Sequence, residues 1–523
     1  MVEGMDDSTA AEMNQVAYNE RKKTEKAGWK EWTGLGVLGL PTLILSLDFS
    51  MLHLALPHLA ADLHASSTQQ LWILDIYGFM IAGFLLTMGG IGDRIGRRKL
   101  LLVGGAVFAI LSVLAAFAQT APMLIAMRAL LGIAGATLMP STLALIHSMF
   151  HHANQRALAI SIWMACFSAG GVLGPAIGGV MLEYFWWGSV FLLGVPVMLV
   201  LLAAGPFLLP EFKGISAAKI DVWSVLLSLA AVLLVVFGMK ELSGEGEAGW
   251  IKSIVLISVG AFIGWFFIRR QMQIKYPLVD VAMFHHRPFS ASLLMLLVGM
   301  ITMGAFVLMF TQYLQLMAGL PPLAAGLWMM PYALASIVGI MTTPILVRFI
   351  SASTLIVTGI LICCIGYAVI IVSAPTAHVA LPVIGSIILV LGISPLQVLA
   401  IDLVISSAPE EKAGSASSLS EMCGELGVAS GVAIFGTIIA AVYRWTIQMP
   451  EVIPQMQIEM AAQSLANATA AAQNLPAEVA AQLLQAGRMA FAGGMQAAGM
   501  ISITLLLIIA WTAWRLRTRL SVS

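Results

Sequence analysis

Long apolar stretches alternate with short polar connections along this chain, and the alternation predicts its elements. A membrane-spanning helix needs about 20 apolar residues. Fourteen stretches approach or exceed that length, at 34–57, 71–92, 100–118, 123–145, 157–182, 187–209, 221–239, 251–268, 289–311, 323–347, 354–374, 379–405, 414–443 and 490–514. Polar and apolar residues do not alternate within them, as they would in the strands of a membrane barrel. The pattern predicts an all-α integral membrane protein with fourteen transmembrane helices.

The composition also indicates a membrane protein. Of 523 residues, 60% are hydrophobic and 10% are charged, whereas a soluble domain carries about 25% charged residues. The net charge is zero, so we expect no nucleic-acid partner. The four cysteines lie in apolar stretches, and their spacing fits neither a zinc site nor a disulfide framework. We therefore expect neither a metal nor another cofactor.

The basic residues indicate the orientation, because Lys and Arg are enriched in cytoplasmic loops. With the N-terminus in the cytoplasm, 21 of the 26 Lys and Arg residues fall in cytoplasmic segments, and Arg128 falls inside a span. An odd number of spans would remove this asymmetry. We expect both termini in the cytoplasm.

The order of the spans predicts two halves with an insertion between them. The expected parts are an N-terminal cytoplasmic segment (1–33), a six-helix bundle (34–210), two inserted helices (219–270) and a second six-helix bundle (289–514). Transporters built from repeated halves bind substrate at the interface of the halves. An extracytoplasmic segment (445–489) within the second bundle predicts one or two amphipathic helices, which lie on the membrane surface or cover the outer mouth.

One acid and one base are predicted to meet inside the first half. Asp48 lies near the middle of the first span, where an ionised carboxylate costs about 2.5–3.5 kcal/mol, and intramembrane acids are candidate functional sites. Arg128 in the fourth span is its predicted partner. Arg128 favours the charged form of Asp48 while burial favours the neutral form, as proton coupling requires. The alternative is an ion pair that only fixes helix packing.

The second span opens with a carboxylate between two aromatic residues. Asp75 lies close to Trp72 and Tyr77. Aromatic faces attract organic cations, so we interpret Trp72 and Tyr77 as lining residues and Asp75 as a counter-charge. The alternative is an interfacial aromatic belt with an acid that reaches the headgroups.

The thirteenth span carries a second acidic pair. Ser418, Glu421 and Glu425 follow 3–4 spacing and share one helix face. Two carboxylates one turn apart in a low dielectric cannot both ionise cheaply, so one is expected to remain protonated and to act as a second coupling site. The alternative places Glu421 at headgroup depth in water. Asp402, near the cytoplasmic end of the twelfth span, is a weaker candidate.

Two glycine-rich segments predict moving parts. After the second span, Asp93, Arg94 and Arg97 stand in a compact basic turn, and we interpret them as a conformational latch on neighbouring helix ends. A role in setting the membrane orientation would explain the basic residues of this turn, but it would not explain Asp93. In the fifth span, a hinge with close helix contact is predicted at Gly171, Gly174, Pro175, Gly178 and Gly179. The alternative there is general glycine packing.

Four motifs resemble those of one transporter family. Residues 47–57 resemble LDxTxVNVALP, with departures at Ser50, Leu52 and His53, and 89–99 resemble GxxxDRxGRR/K. Residues 128–136 resemble RxxxGxGxA, and 171–179 resemble GPxxGG. Together with the two extra helices, these motifs resemble the fourteen-helix drug:proton antiporters of the major facilitator superfamily.

The resemblance implies two six-helix bundles with two helices inserted between them, in a bacterial cytoplasmic (inner) membrane. It implies export of lipophilic mono- and dicationic drugs, such as quaternary ammonium antiseptics, dyes and viologens, in exchange for protons. The proton gradient would be the energy source, and we expect a monomer that is not an enzyme. The motif positions are Asp48, Asp93, Arg97, Arg128, Gly174, Pro175, Gly178 and Gly179. Asp75 and Glu421 match more loosely.

Other functions receive less support from the residues. A sugar or organic-anion transporter is the main alternative, but an anion would favour bases in the spans, where only Arg128 lies. A membrane di-iron enzyme is a remote alternative, because residues 147–152 give one histidine box and that chemistry needs several. A nucleotide-driven pump would need a GxxxxGK[ST] loop, which the sequence lacks.

Overall fold

The computed structural model describes most of the chain. It covers residues 26–65, 67–211, 221–242, 247–274, 277–376, 378–409, 412–448, 457–458, 461–473 and 475–520. Most of the polar N-terminal segment and parts of 445–489 lie outside these ranges, as does the side chain of Pro175. Within the described ranges the regular structure is helical, with no strand.

Fourteen helices of the described chain are long and apolar enough to cross a membrane. We number them α1 Trp29–Asp62, α2 Ser67–Ile95, α3 Arg97–Ala116, α4 Ala121–Met149, α5 Ala153–Tyr184, α6 Gly194–Leu208, α7 Val222–Leu242, α8 Glu247–Gln273, α9 Arg287–Gln312, α10 Pro322–Leu346, α11 Ala352–Ser373, α12 Ala380–Ser406, α13 Ala413–Thr446 and α14 Ala477–Leu520. A single turn, Ser189–Leu192, precedes α6, and the turn and α6 together make up the sixth candidate span, Ser189–Leu208. The prediction of an all-α protein with fourteen spans is confirmed.

Local chemistry sets several helix boundaries. The Thr120 side chain accepts a hydrogen bond from the Met123 N–H at 3.3 Å and caps α4, because the first N–H groups of a helix lack partners within it. Ser351 caps α11 in the same way through the Thr354 N–H. Pro140 lies inside α4, as neighbouring membrane helices permit.

The buried side chains form two main clusters. One lies mainly within α1–α6 and the other mainly within α9–α14. The inserted helices α7 and α8 pack against each other, and α7 also contacts α2 and α13. The insertion therefore lies beside the line where the two bundles meet.

Across that line, α2 and α4 pack against α13, and α5 packs against α10 and α12. We call one end of the molecule the basic end. It is the end at which α2 stops at Ile95, α3 begins at Arg97, α12 stops at Ser406 and α13 begins at Ala413. Most Lys and Arg residues lie in its connections.

At the opposite end, part of 445–489 folds into a helical hairpin. A short helix, Leu465–Ala472, precedes α14, which begins at Ala477 and not at the predicted residue 490. Small apolar side chains pack between the two helices, and Tyr443 donates its hydroxyl to the Ala461 carbonyl at 3.0 Å.

Candidate functional site

An ion pair between Asp48 and Arg128 occupies the interior of the first bundle. Arg128 Nη1 donates to Asp48 Oδ2, and Arg128 Nε donates to the Ile73 carbonyl at 3.3 Å. Arg128 is fully buried and Asp48 is 8% exposed. A small cavity between α1, α3 and α6 reaches Asp48. The structure thus places the predicted partners in direct contact inside the membrane-spanning region.

Tyr77 covers this pair from α2. The Arg128 guanidinium carbon lies 4.3 Å from the centroid of the Tyr77 ring, a distance typical of a cation–π contact. The Tyr77 ring is buried, and its hydroxyl has no hydrogen-bond partner among the described residues. Tyr77 interacts electrostatically with Asp48, Arg128 and Glu425. The ring of Tyr77 therefore belongs to the Asp48–Arg128 centre.

Trp72 and Tyr77, both predicted as lining residues, contact different neighbours in the structure. Five positions along a helix correspond to about 140° of rotation, so the two side chains leave α2 on different sides. Tyr77 contacts Arg128, whereas Trp72 stacks on Phe237 of α7 at 6.1 Å between ring centroids.

Asp75 lies on the side of α2 that faces the second bundle. It is about five helical turns from Asp93, so the two residues project in the same direction. Gly89 on this side packs so closely on α13 that a Cβ there would overlap Ser418 Oγ. Asp75 is partly buried.

The acids of α13 occupy two different settings. Glu421 is 9% exposed, and neither of its carboxylate oxygens has a hydrogen-bond partner in the part of the chain that the structure describes. Burial of an unpaired carboxylate is costly, so this setting favours the neutral form. Glu425, one turn further, is exposed and interacts electrostatically with Glu421.

Asp93 joins the bundles at the basic end. Its Oδ1 accepts from the Gly414 N–H at 3.0 Å, and its Oδ2 accepts from the Ser415 N–H at 2.9 Å and the Ser415 hydroxyl at 2.8 Å. The carboxylate thereby satisfies the first N–H groups of α13 and faces the positive end of that helix. Arg97, buried beside it, donates from Nε to Asp93 Oδ1 at 3.2 Å.

A second connection between the bundles was missed from the sequence. Arg156 at the start of α5 donates from Nε to Asp402 Oδ1 at 2.5 Å, and both side chains are 14% exposed. From the sequence, Asp402 is a weaker candidate for a proton site, and Arg156 is one of the 21 basic residues that indicate the membrane orientation. Opposite charges near two helix ends were the available signal, but only packing of α5 on α12 brings them together.

The connection from α8 to α9 lies across the same end. Arg94 Nη2 donates to the Pro277 carbonyl at 3.3 Å, and a Cβ at Gly90 would lie 2.7 Å from Leu278. Asp280 pairs with Lys412, beside the start of α13. Burial opposes ionisation of Asp280, but the hydrogen bonds from Lys412 and the Ala282 N–H leave its pKa lowered.

A further ion pair joins the start of α7 to the end of α8. Arg270 donates to both oxygens of Asp221, at 2.7 and 3.0 Å. This hydrogen bonding, together with that from Ser224, lowers the pKa of Asp221 from 3.8 to about 2. The paired geometry fixes the start of α7 against the end of α8.

The glycines of α5 pack against α1 beside Asp48. A Cβ at Gly170 would overlap the Leu43 carbonyl, one at Gly174 would overlap Ser50 Oγ, and one at Gly178 would lie 3.1 Å from Met51 Cγ. Gly170 was missed, although its spacing of four from Gly174 was the signal. Gly171 is exposed and Gly179 partly buried, so neither lies on this tightest line of contact.

The histidine segment does not assemble a metal site in the structure. His147 is partly buried, and neither of its ring nitrogens has a hydrogen-bond partner among the described residues. The same residues contain no group of three metal-ligating side chains.

Comparisons with known proteins agree with this architecture. The sequence profile of the Major Facilitator Superfamily matches residues 38–432. The chain is 40% identical to the multidrug efflux pump LfrA of Mycolicibacterium smegmatis over 484 residues, 92% of this chain and 96% of that protein. It is 32% identical to the methyl viologen resistance protein SmvA of Salmonella typhimurium over 493 residues, 93% and 98% of the two chains.

Among solved structures, the chain is similar to the human organic anion transporter MFSD10 (TETRAN). The TM-score is 0.55, and the alignment covers 91% of this chain and 99% of that one. At 14% identity, this likeness concerns the fold alone. The family and the fold point to a transporter.

Proposed function

Because this chain belongs to the Major Facilitator Superfamily, we propose that it exports lipophilic cationic drugs in exchange for protons across a bacterial inner membrane. The similarity to LfrA and SmvA over more than nine-tenths of the chain supports a multi-pass bacterial drug exporter. Methyl viologen, named in the SmvA description, is a dication. We propose in addition that the substrates are cations and that their export is coupled to protons.

The observation that carries the proposal is that each bundle holds a buried acid, in two different settings. Asp48 is ion-paired with Arg128 in the first bundle, while Glu421 in the second is buried without a described partner. Carboxylates in such different environments bind protons with different affinities. A bound cation competes with a proton for the same negative charge.

Charge balance explains why two acidic centres are useful. Moving one charge across 100 mV is worth about 2.3 kcal/mol. Exchange of a monocation for one proton is electrically neutral and uses the pH gradient alone. A dication needs two protons for neutrality. We assign one proton to the Asp48–Arg128 centre and the second to the Glu421–Glu425 pair.

The described state is closed at the basic end. Two polar contacts join the bundles there, that of Asp93 with α13 and that of Arg156 with Asp402. We propose that the basic end faces the cytoplasm and that this is the state from which drug leaves outward. Breaking these contacts would open the cytoplasmic side for loading.

A sugar or organic-anion transporter is less well supported by the geometry. An anion would need an available positive charge inside the bundle. The guanidinium of Arg128, the base that sequence analysis placed within a span, already pairs with Asp48 and lies against Tyr77.

Transport into everted vesicles tests the proposal. Vesicles with the wild-type protein are compared with vesicles lacking it, using ethidium as the monocation and methyl viologen as the dication. Nigericin collapses the pH gradient, and valinomycin with potassium collapses the potential. We expect uptake of both cations, lost with nigericin and retained with valinomycin. Uptake that survives nigericin contradicts proton coupling, and no difference from empty vesicles contradicts cation transport.

A further inference from the structure

Three aromatic rings meet where the first bundle touches the inserted pair. We call Trp72 and Phe79 of α2 and Phe237 of α7 the ring triad. The Trp72 and Phe237 rings are stacked, with centroids 6.1 Å apart, and Phe79 meets both edge to face at 6.4 Å. Two helices from different parts of the fold therefore build one aromatic surface.

A positive charge of the protein already lies on this surface. The ammonium nitrogen of Lys252 is 5.2 Å from the centroid of the Phe237 ring, within the range of a cation–π contact. Lys252 is exposed, and Trp72 is 37% exposed. The surface can thus be reached from outside the protein, and an ammonium group fits it.

The depth of the triad places it near one membrane boundary. Trp72 begins the apolar span of α2, and Phe237 lies near the end of the span of α7. Lys252 lies near the start of the span of α8. All three positions are at the end opposite the basic end. Lipophilic cations concentrate at such boundaries, because one part of the molecule is apolar and the other charged.

A carboxylate flanks the triad. Asp75 follows Trp72 by three positions and precedes Phe79 by four, so the three residues project from neighbouring positions on one side of α2. Asp75 also shares the direction of Asp93, which contacts α13. A cation on the rings would lie beside a negative charge that borders the path between the bundles.

We propose that the ring triad is a second binding site for lipophilic ammonium and phosphonium ions. When no ligand is bound, the Lys252 ammonium occupies the cation position on these rings. The inference rests on the proposed function and deepens it by giving the exported cation an outer site separate from the Asp48 centre. Bound cation displaces the Lys252 ammonium from Phe237, and Asp75 supplies counter-charge.

The same inserted pair offers a matched control. Phe262 and Trp265 of α8 stack at 5.8 Å, and the Arg269 guanidinium lies 4.3 Å from the Trp265 ring. This pair also combines two rings with a cation. The charged group on these rings is Arg269, which repels a cationic ligand, while neighbouring Arg270 is paired with Asp221, so we expect no site there.

Equilibrium binding of radiolabelled methyltriphenylphosphonium to the purified full-length protein in lipid nanodiscs tests the inference. Phe237→Leu and Trp72→Leu should each weaken one class of sites about 2- to 30-fold, the range expected for loss of a cation–π contact. Lys252→Met should strengthen the same class, because it removes the competing ammonium without removing a ring. Phe262→Leu/Trp265→Leu should leave that class unchanged.

Two results would overturn the inference. One is that the affinity for methyltriphenylphosphonium is unchanged both in Lys252→Met and in either of the single variants Phe237→Leu and Trp72→Leu. The other is an equal loss in Phe262→Leu/Trp265→Leu, which would indicate general partitioning to aromatic surfaces. If a ring variant does not fold, Lys252→Met alone decides, since it leaves the ring triad intact.

Parallel uptake of methyltriphenylphosphonium into everted vesicles separates this inference from the proposed function. Triad-dependent binding without any wild-type uptake supports the outer site and counts against export. Normal uptake with a single class of sites that is insensitive to the triad supports export and overturns the outer site.

Discussion

Arg156 of the first bundle holds Asp402 of the second through a hydrogen bond of 2.5 Å at the basic end. The contact of Asp93 with the start of α13 lies at the same end, so charged residues join the two bundles there. A transporter that alternates between two openings must break both contacts in each cycle. Their strength therefore sets the balance between the two states.

Asp402→Asn should favour opening of the basic end. A hydrogen bond to a charged group contributes about 1.5–3 kcal/mol, and the variant weakens it in the closed state only. Spin labels at Ala153 and Ser406, both exposed, report the separation of α5 and α12 by electron spin resonance. We expect a larger population of long distances. The exchange Arg156→Asp/Asp402→Arg should restore the wild-type distribution, and an unchanged distribution in Asp402→Asn contradicts the latch.

Asp48→Asn should abolish uptake driven by a pH gradient in everted vesicles, because the amide side chain of Asn cannot bind and release a proton as a carboxylate does. Asp62→Asn is the control, since Asp62 is on the same helix and accepts a hydrogen bond from Trp187 Nε1 at 2.7 Å. It should transport normally. Coupled uptake by Asp48→Asn at the wild-type rate would remove Asp48 from the mechanism.

Loss of Asp48 also leaves Arg128 buried without its counter-charge, which costs about 3–5 kcal/mol. Asp48→Asn/Arg128→Gln removes that penalty and should unfold at a higher temperature than Asp48→Asn. Continued absence of coupled uptake in this more stable double variant would show that the transport defect is not a folding defect.

Glu421→Gln should impair dications more than monocations. With one proton fewer, each exported dication moves one uncompensated charge, which costs about 2.3 kcal/mol at a potential of 100 mV. This cost alone makes the drug gradient about 50-fold smaller, and the pH-gradient energy of the missing proton is lost as well. The monocation gradient should be unchanged. Steady-state accumulation of methyl viologen and ethidium measures both, with Glu478→Gln, an exposed acid of α14, as the control. Equal losses for the two cations would contradict a second proton site on α13.

Gly174→Ala should destabilise the contact of α5 with α1. The added methyl group would overlap Ser50 Oγ and lie 2.8 Å from Ser50 Cβ, and such overpacking costs about 1–3 kcal/mol. Ser50→Gly in the same chain should recover part of the loss. Gly36→Ala, where a Cβ meets nothing within 4 Å, should have no destabilising effect. Thermal unfolding of the purified variants checks the order; equal stability of both alanine variants would contradict it.

The Asp221–Arg270 pair should contribute a constant stability between pH 5 and 8. Hydrogen bonding from Arg270 lowers the pKa of Asp221 from 3.8 to about 2. A lowered pKa gives stability that is fully present above the unfolded value and is lost as pH falls from about 4 towards 2. The difference in unfolding temperature between wild type and Asp221→Asn, measured at each pH, should stay level. A decline within pH 5–8 would indicate that this carboxylate titrates there.

Much of the architecture could be predicted because a bilayer constrains sequence directly. Every spanning helix must be long and apolar, so fourteen spans were visible without any contact information. The pairing of Asp48 with Arg128 could be predicted because charges in such spans are rare and need compensation. The structure adds Tyr77, whose ring covers Arg128, as a further member of the centre.

The sequence by itself determined the span count, the helical class and the residue types able to carry charge inside the membrane, because these follow from length and polarity along the chain. Tertiary structure alone decided which distant residues meet. Arg156 contacts Asp402 across an interval of 246 positions, and Trp72 turns towards α7 while Tyr77 turns towards α4. Such pairings depend on how helices rotate and pack, and packing is a property of two surfaces that no single stretch of sequence contains.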